Sequence, residues 1–130
     1  MSERDPMATA ERRTDLLEVV RQSLDDDKAI EPVVIDLEGK TEIADWMVVA
    51  TGTSYRHIAS MGDKLTARLK EAGHDHVAIE GLDDPTTSWV LIDAGDIIVH
   101  LFRAEARSFY DIEKLWSFLP PSRSAAAATG

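Results

Sequence analysis

There is no cysteine anywhere in the chain. That excludes a disulfide framework, thiolate zinc sites and cysteine nucleophiles, and it agrees with a reducing cytoplasm. Long apolar runs are missing too. Nothing approaches the roughly 18 consecutive apolar residues that span a bilayer, and the opening MSERDPMATAERR lacks the apolar core of a secretory signal. The expectation is a soluble, cytoplasmic protein that makes no membrane contact. Basic residues are also scarce, with 14 against 24 acidic ones and a formal net charge of -10. A field of that sign repels phosphate backbones and attracts basic partners, which disfavours tight binding to naked nucleic acid and favours a basic protein.

What is present fits one domain with one core: 130 residues, 44% of them hydrophobic. Residues 1-8 are polar and lack periodicity, and 119-130 open with Pro120-Pro121 and continue in small side chains, so both ends read as flexible tails around a domain at 9-118. Leu16, Leu17, Val20 and Leu24 recur at helical spacing, and the helix runs into Asp25-Asp26-Asp27, read as a solvated turn. Val33 to Leu37 and Trp46 to Ala50 read as strands. A helix follows Thr53-Ser54, with Ile58, Met61, Leu65, Leu69 and Ala72 on its apolar face and Gly73 as its stop signal. A short strand at Val77 to Gly81 precedes a hairpin, in which Trp89 to Asp93 turns through Ala94-Gly95-Asp96 into Ile97 to Phe102. The last helix begins near Ala104 and carries Phe109, Ile112 and Trp116 on one face. The expected fold is α/β, a mixed, roughly five-stranded sheet flanked by helices. Its hairpin pairs antiparallel, and the helical crossover from the second strand to the third allows parallel pairing.

Several patterns raise chemistry. Thr51-Gly52-Thr53-Ser54 lies between a strand and a helix whose amides could hold an anion, but the spacing is neither a P-loop nor a dinucleotide fingerprint, and a capped turn explains it. Asp36 and Glu38 could hold magnesium for nucleotidyl transfer, and Asp93 and Asp96 flank a turn. Against that enzyme reading, the stretch after Ser54 offers Asp63 but no paired acid. His74-Asp75-His76, even with His57 or His100, does not make a metal site on spacing alone, and His74 suits the end of a helix. No metal and no cofactor is implied. Aromatics cluster late in the chain, as they do at protein-protein hot spots. Phe109 and Trp116 read as core, whereas Tyr110 lies off the helix's inner face and Trp89 follows a polar loop, which makes these two the better binding candidates.

Three stretches resemble the ribosomal silencing factor family, also called the iojap family. The segment 44-58, ADWMVVATGTSYRHI, is similar to the family's strand-turn-helix. Glu80-Gly81 followed by 89-100, WVLIDAGDIIVH, is similar to a second segment, and Arg107, Phe109-Tyr110, Ile112-Glu113 and Leu115-Trp116 to a third. The likeness spans roughly residues 14-118. The loop 82-88 and both tails have no family pattern.

The resemblance implies a nucleotidyltransferase-like fold without the catalytic acids, and a protein that makes and breaks no bond. It implies binding to the large ribosomal subunit through large-subunit ribosomal protein fourteen, with peripheral contact to ribosomal RNA, and steric exclusion of the small subunit under nutrient limitation. A homodimer of the free protein is compatible with it. The motif positions carried over as a partner-binding surface are Trp89, Asp96, His100, Arg107, Tyr110, Glu113 and Trp116. Asp45, Thr51, Ser54, Arg56 and His57 match the motifs too, where a turn role serves as well as binding. The rival readings are a magnesium-dependent nucleotidyltransferase built on Asp36 and Glu38, and a general RNA-binding module.

Overall fold

A computed structural model describes the backbone of residues 6-118 and the side chains of 15-116. Residues 1-5 and 119-130, most of the two expected tails, lie outside the described residues; residues 6-8 are helical. The order of elements is α1 (Pro6–Asp26), β1 (Ile30–Asp36), β2 (Trp46–Gly52), α2 (Tyr55–Glu71), β3 (Ala78–Glu80), β4 (Trp89–Asp93), β5 (Ile97–Arg103), α3 (Ala104–Tyr110) and α4 (Ile112–Phe118). The strands form one mixed sheet in the order β1-β2-β5-β4-β3. The β4-β5 hairpin is antiparallel as expected, and β2 runs parallel to β5 rather than to β3. Burial explains that choice. β2 and β5 are near-continuous apolar runs buried along almost their whole length, so they take the sheet centre, while the short, largely exposed β3 goes to an edge.

Strand alternation then sorts the side chains onto two faces. Val48, Ala50, Val90, Ile92, Ile97, Val99 and Leu101 point to one face, where they pack with Leu16, Val20 and Leu24 of α1 and Ile58, Met61, Leu65 and Leu69 of α2. α2 starts with Ser54, whose hydroxyl accepts from the His57 amide, and ends at Gly73 in a left-handed turn. There the His74 and Gly73 amides donate to the carbonyls of Leu69 and Lys70, which satisfies the helix end. Ala72, read as part of the apolar face, is exposed in that final turn. Gly62 lets α2 sit close to the sheet, because a Cβ there would lie 2.8 Å from Ile79 Cδ1.

The aspartate run at the end of α1 corrects the solvated reading in one place. Asp25 and Asp26 are exposed, but the side chain of Asp27 is only 9% accessible and accepts from the Arg68 guanidinium at 2.9 Å. His57 Nε2 bonds to the Asp27 carbonyl at 2.9 Å, so the end of α1 is tied to both ends of α2.

The other face carries Ile35, Met47, Val49 and Phe102, with Leu37, Ala44 and Ala106 packed around them. α3 and α4 lie over it, adding Ile112 and Trp116. The single last helix expected from periodicity is two short ones. Asp111 takes a left-handed conformation (φ 44°) between them, which resets the helical phase.

Candidate functional site

The loss of phase at Asp111 decides which aromatic residues reach solvent. Phe109, read as core, is 80% exposed; Tyr110 is 47% exposed and Leu115 56%. α3 ends before the periodic face containing Phe109, Ile112 and Trp116 can be completed, so only Ile112 and Trp116 turn inward. One cue in the sequence pointed the right way: neighbours on a helix are about 100° apart, so Phe109 and Tyr110 could not both face the core.

Phe109 and Tyr110 stand beside a part of the sheet that no helix among the described residues covers. Trp89 opens β4 opposite Phe102 of β5, and its ring lies 5.0 Å from Phe102, 4.8 Å from Tyr110 and 5.7 Å from His100. Phe109 meets Tyr110 edge-on at 5.1 Å. The patch continues over half-buried Leu91 and Ile98, and on the same side Glu80 and Asp93 are exposed. The result is an aromatic surface with an acidic margin.

His100 lies beneath this surface, only 8% exposed, between Val49 of β2 and Leu91 of β4. Its Nδ1 accepts a 3.0 Å hydrogen bond from Trp89 Nε1. Its Nε2 is buried with no partner, which costs about 1–3 kcal/mol for an unsatisfied polar group. Burial pushes the imidazole pKa down to about 4, so the ring is neutral at physiological pH.

Of the seven residues carried over as a partner surface, the fold gathers Trp89, His100 and Tyr110, leaves Asp96 at the far margin of the patch, and ties Arg107, Glu113 and Trp116 into the β1-β2 side. Arg107 grips Glu113 through two bonds of 2.7 and 3.2 Å, donates to the Thr51 hydroxyl at 2.9 Å and reaches the Ile30 carbonyl at 3.4 Å. With side chains 13% and 24% accessible, this pair clamps α3 and the start of α4 onto the β1-β2 side. Trp116 is half-buried there, and its carbonyl accepts from Lys40 at 3.0 Å. Asp96 is exposed in the hairpin turn at the opposite end of β5, roughly 20 Å from α3 but next to Asp93 and Ile98 at the far margin of the patch. Its carbonyl accepts the amides of Asp45 and Trp46 and closes the sheet end.

The other candidates resolve into structure. Thr53 donates its amide to His57 Nδ1 at 2.9 Å, so the turn read as an anion cradle spends that N–H internally, and Ser54 is a helix cap. Arg56 is exposed. Asp36 pairs with Trp46 at one end of β2, whereas Thr53 and Ser54 follow its other end, again roughly 20 Å away. Asp36 Oδ1 accepts the Glu38 amide at 2.9 Å, and Glu38 lies past the strand end, so the two carboxylates do not share a strand face. The magnesium constellation of the rival enzyme reading is therefore not assembled by this fold. Among the described residues, no group of three His, Asp or Glu is placed to hold a metal ion. A cavity of about 690 Å³ opens near the ends of β2 and β5, bordered by Arg103 and Arg107 but also by Glu31, Glu105, Asp111 and Glu113. Its acidic excess does not suit a phosphate.

A family model described as ribosomal silencing factor during starvation matches residues 9–128. The chain belongs to the ribosomal silencing factor family. It is 53% identical over 103 residues to the ribosomal silencing factor of Zymomonas mobilis, covering 79% of this chain and 76% of that one. A crystal structure of a Chromobacterium violaceum protein superposes with a TM-score of 0.76 at 36% identity, covering 84% of this chain and 89% of that one. A mouse relative named mitochondrial assembly of ribosomal large subunit protein 1 is 34% identical over 87 residues, 65% of this chain and 37% of that protein. Membership places the protein in translation regulation, in ribosome silencing. The matched region runs ten residues beyond the boundary expected at 118.

Proposed function

We propose that the protein docks its aromatic surface on the large ribosomal subunit, through ribosomal protein fourteen, and blocks joining of the small subunit by occupying that place. The observation that carries this reading is the aromatic patch of exposed Phe109 and Tyr110 with half-buried Trp89, beside strands that no helix among the described residues covers. Apolar area of this kind stabilises an interface by leaving water, and aromatic anchors concentrate binding energy. Glu80 and Asp93 beside it, and the net charge of -10, complement a basic ribosomal protein and would speed encounter at low salt. The mouse relative's name, which refers to the large subunit, supports the same choice of subunit. Steric exclusion needs no catalysis, and the site of action is the cytoplasm. Contact with ribosomal RNA belongs to the margin of the surface, and a homodimer of the free protein would have to leave this face open or dissociate before docking.

The test is co-sedimentation with purified large subunits, followed by a subunit-joining assay. Phe109→Ala and Tyr110→Ala are each expected to weaken binding by about 2 kcal/mol, roughly thirtyfold, and to restore joining. Parental binding by both variants would refute the placement of the surface. For the enzyme alternative, purified protein with magnesium and nucleotides is expected to show no turnover; activity lost in Asp36→Ala would reverse the reading.

A further inference from the structure

The hydrogen bond between Trp89 and His100 settles more than the position of two rings. An indole N–H can only donate, so His100 Nδ1 must present its lone pair, and the neutral imidazole carries its proton on Nε2. That N–H is buried and has no acceptor. Side chains stand roughly perpendicular to a sheet, and Nε2 is at the end of the ring remote from the backbone. The unused donor therefore points away from β5, toward the layer in which Trp89 and Tyr110 lie. It sits at the edge of the covered part of this face: Val49 on one side belongs to the covered core, and Leu91 on the other is half-exposed. Trp89 accounts for Nδ1 but leaves Nε2 unexplained.

We infer that His100 Nε2–H is the hydrogen-bond donor with which this surface recognises its partner, taken up by an oxygen acceptor of the docked protein, a main-chain carbonyl or a side-chain oxygen. Reaching it requires the side chains that cover it to shift on docking while the Trp89–His100 bond, which fixes the tautomer, is kept. The apolar patch supplies contact area with little directional preference, whereas a single fixed donor in a dry setting sets the register of the partner and rejects one that brings no acceptor. His100 is thus a specificity-determining residue. This inference rests on docking at the aromatic patch.

The experiment follows the His100 ring by nitrogen and proton NMR in the full-length protein labelled at histidine, titrated with purified large-subunit ribosomal protein fourteen. The free protein should show a neutral Nε2–H tautomer. On addition of the partner, the Hε2 resonance should move downfield and become protected from exchange. In parallel, His100→Phe should bind about tenfold more weakly, and His100→Gln, which keeps one acceptor and one donor, should stay within about threefold of the parent. Phe109→Ala and Tyr110→Ala separate the two levels. If both bind normally, docking at this surface is wrong and the inference falls with it. If they bind weakly while the Hε2 resonance is unmoved and protected no further by the partner, the docking stands and the role of His100 is refuted. Because the resonance is read on the unmutated protein, poor folding of His100→Phe would leave the question answerable.

Discussion

The two faces of the sheet meet different fates. One is covered by α1 and α2, helices of 21 and 17 residues, while among the described residues the other receives only α3 and α4, of 7 residues each. At 1.5 Å per residue a seven-residue helix is about 10 Å long, and five strands spaced about 4.8 Å apart extend some 19 Å across from first to last. Among the described residues, two short helices that lie over the β1-β2-β5 side leave β3 and most of β4 without a helix above them. On the first face the apolar residues of β4, Val90 and Ile92, are fully buried; on the second, Trp89 and Leu91 of the same strand stay partly open. The difference teaches where stability and recognition divide in this protein: the closed face holds the fold, and the half-open face is left with apolar surface to offer.

The largest effect should come from the closed face. Leu65 is fully buried in α2 against the sheet, and Leu65→Ala should lower the unfolding free energy by about 2–5 kcal/mol, read from urea denaturation. A loss under about 1 kcal/mol would mean that α2 packs less tightly than its burial indicates.

His100 lies on the boundary between the two regimes, and it should make stability depend on pH. The unfolded imidazole titrates near 6.5 and the folded one near 4, so the unfolded chain takes up the proton first. The contribution of neutral His100 is fully present above about pH 6.5 and is lost as the pH falls toward 4. Between pH 7 and pH 4 the parent should therefore lose on the order of 3 kcal/mol more than His100→Phe, a comparison in which the carboxylates shared by both proteins cancel. Parallel pH profiles for the two proteins would show that the ring is not desolvated in the folded state.

Smallest of all should be the stability cost on the open face. Phe109→Ala removes a side chain that is 80% exposed and should change the unfolding free energy by no more than about 0.5 kcal/mol. Combined with weak binding to the large subunit, that result would mark Phe109 as contact surface. Trp89→Ala is expected to give a mixed result, since its ring also packs on Phe102 and binds His100. A large stability loss in Phe109→Ala would erase the contrast between the faces.

Features carried by short-range periodicity were open to reading directly from the amino-acid order. The apolar stripe of Ile58, Met61, Leu65 and Leu69, a cap at Thr53 or Ser54, the Gly73 stop and the hairpin through Gly95 depend on neighbours a few residues away. Family membership was legible for a similar reason, because motifs such as Thr51-Gly52-Thr53-Ser54 persist as strings. The site was legible only in part. That Trp89, His100 and Tyr110 meet, that Arg107 spends its charge on Glu113 and Thr51, and that Asp96 lies a strand's length away all follow from pairing between distant segments. A strand's alternation says which residues share a side but not which strand lies next to it or what covers it. Phe109 shows the limit most sharply: its spacing to Ile112 and Trp116 is helical, yet one left-handed residue at Asp111 resets the phase and turns it to water. Local chemistry thus determined the family and the elements up to the last helix, and tertiary packing decided which aromatic rings became core and which became surface.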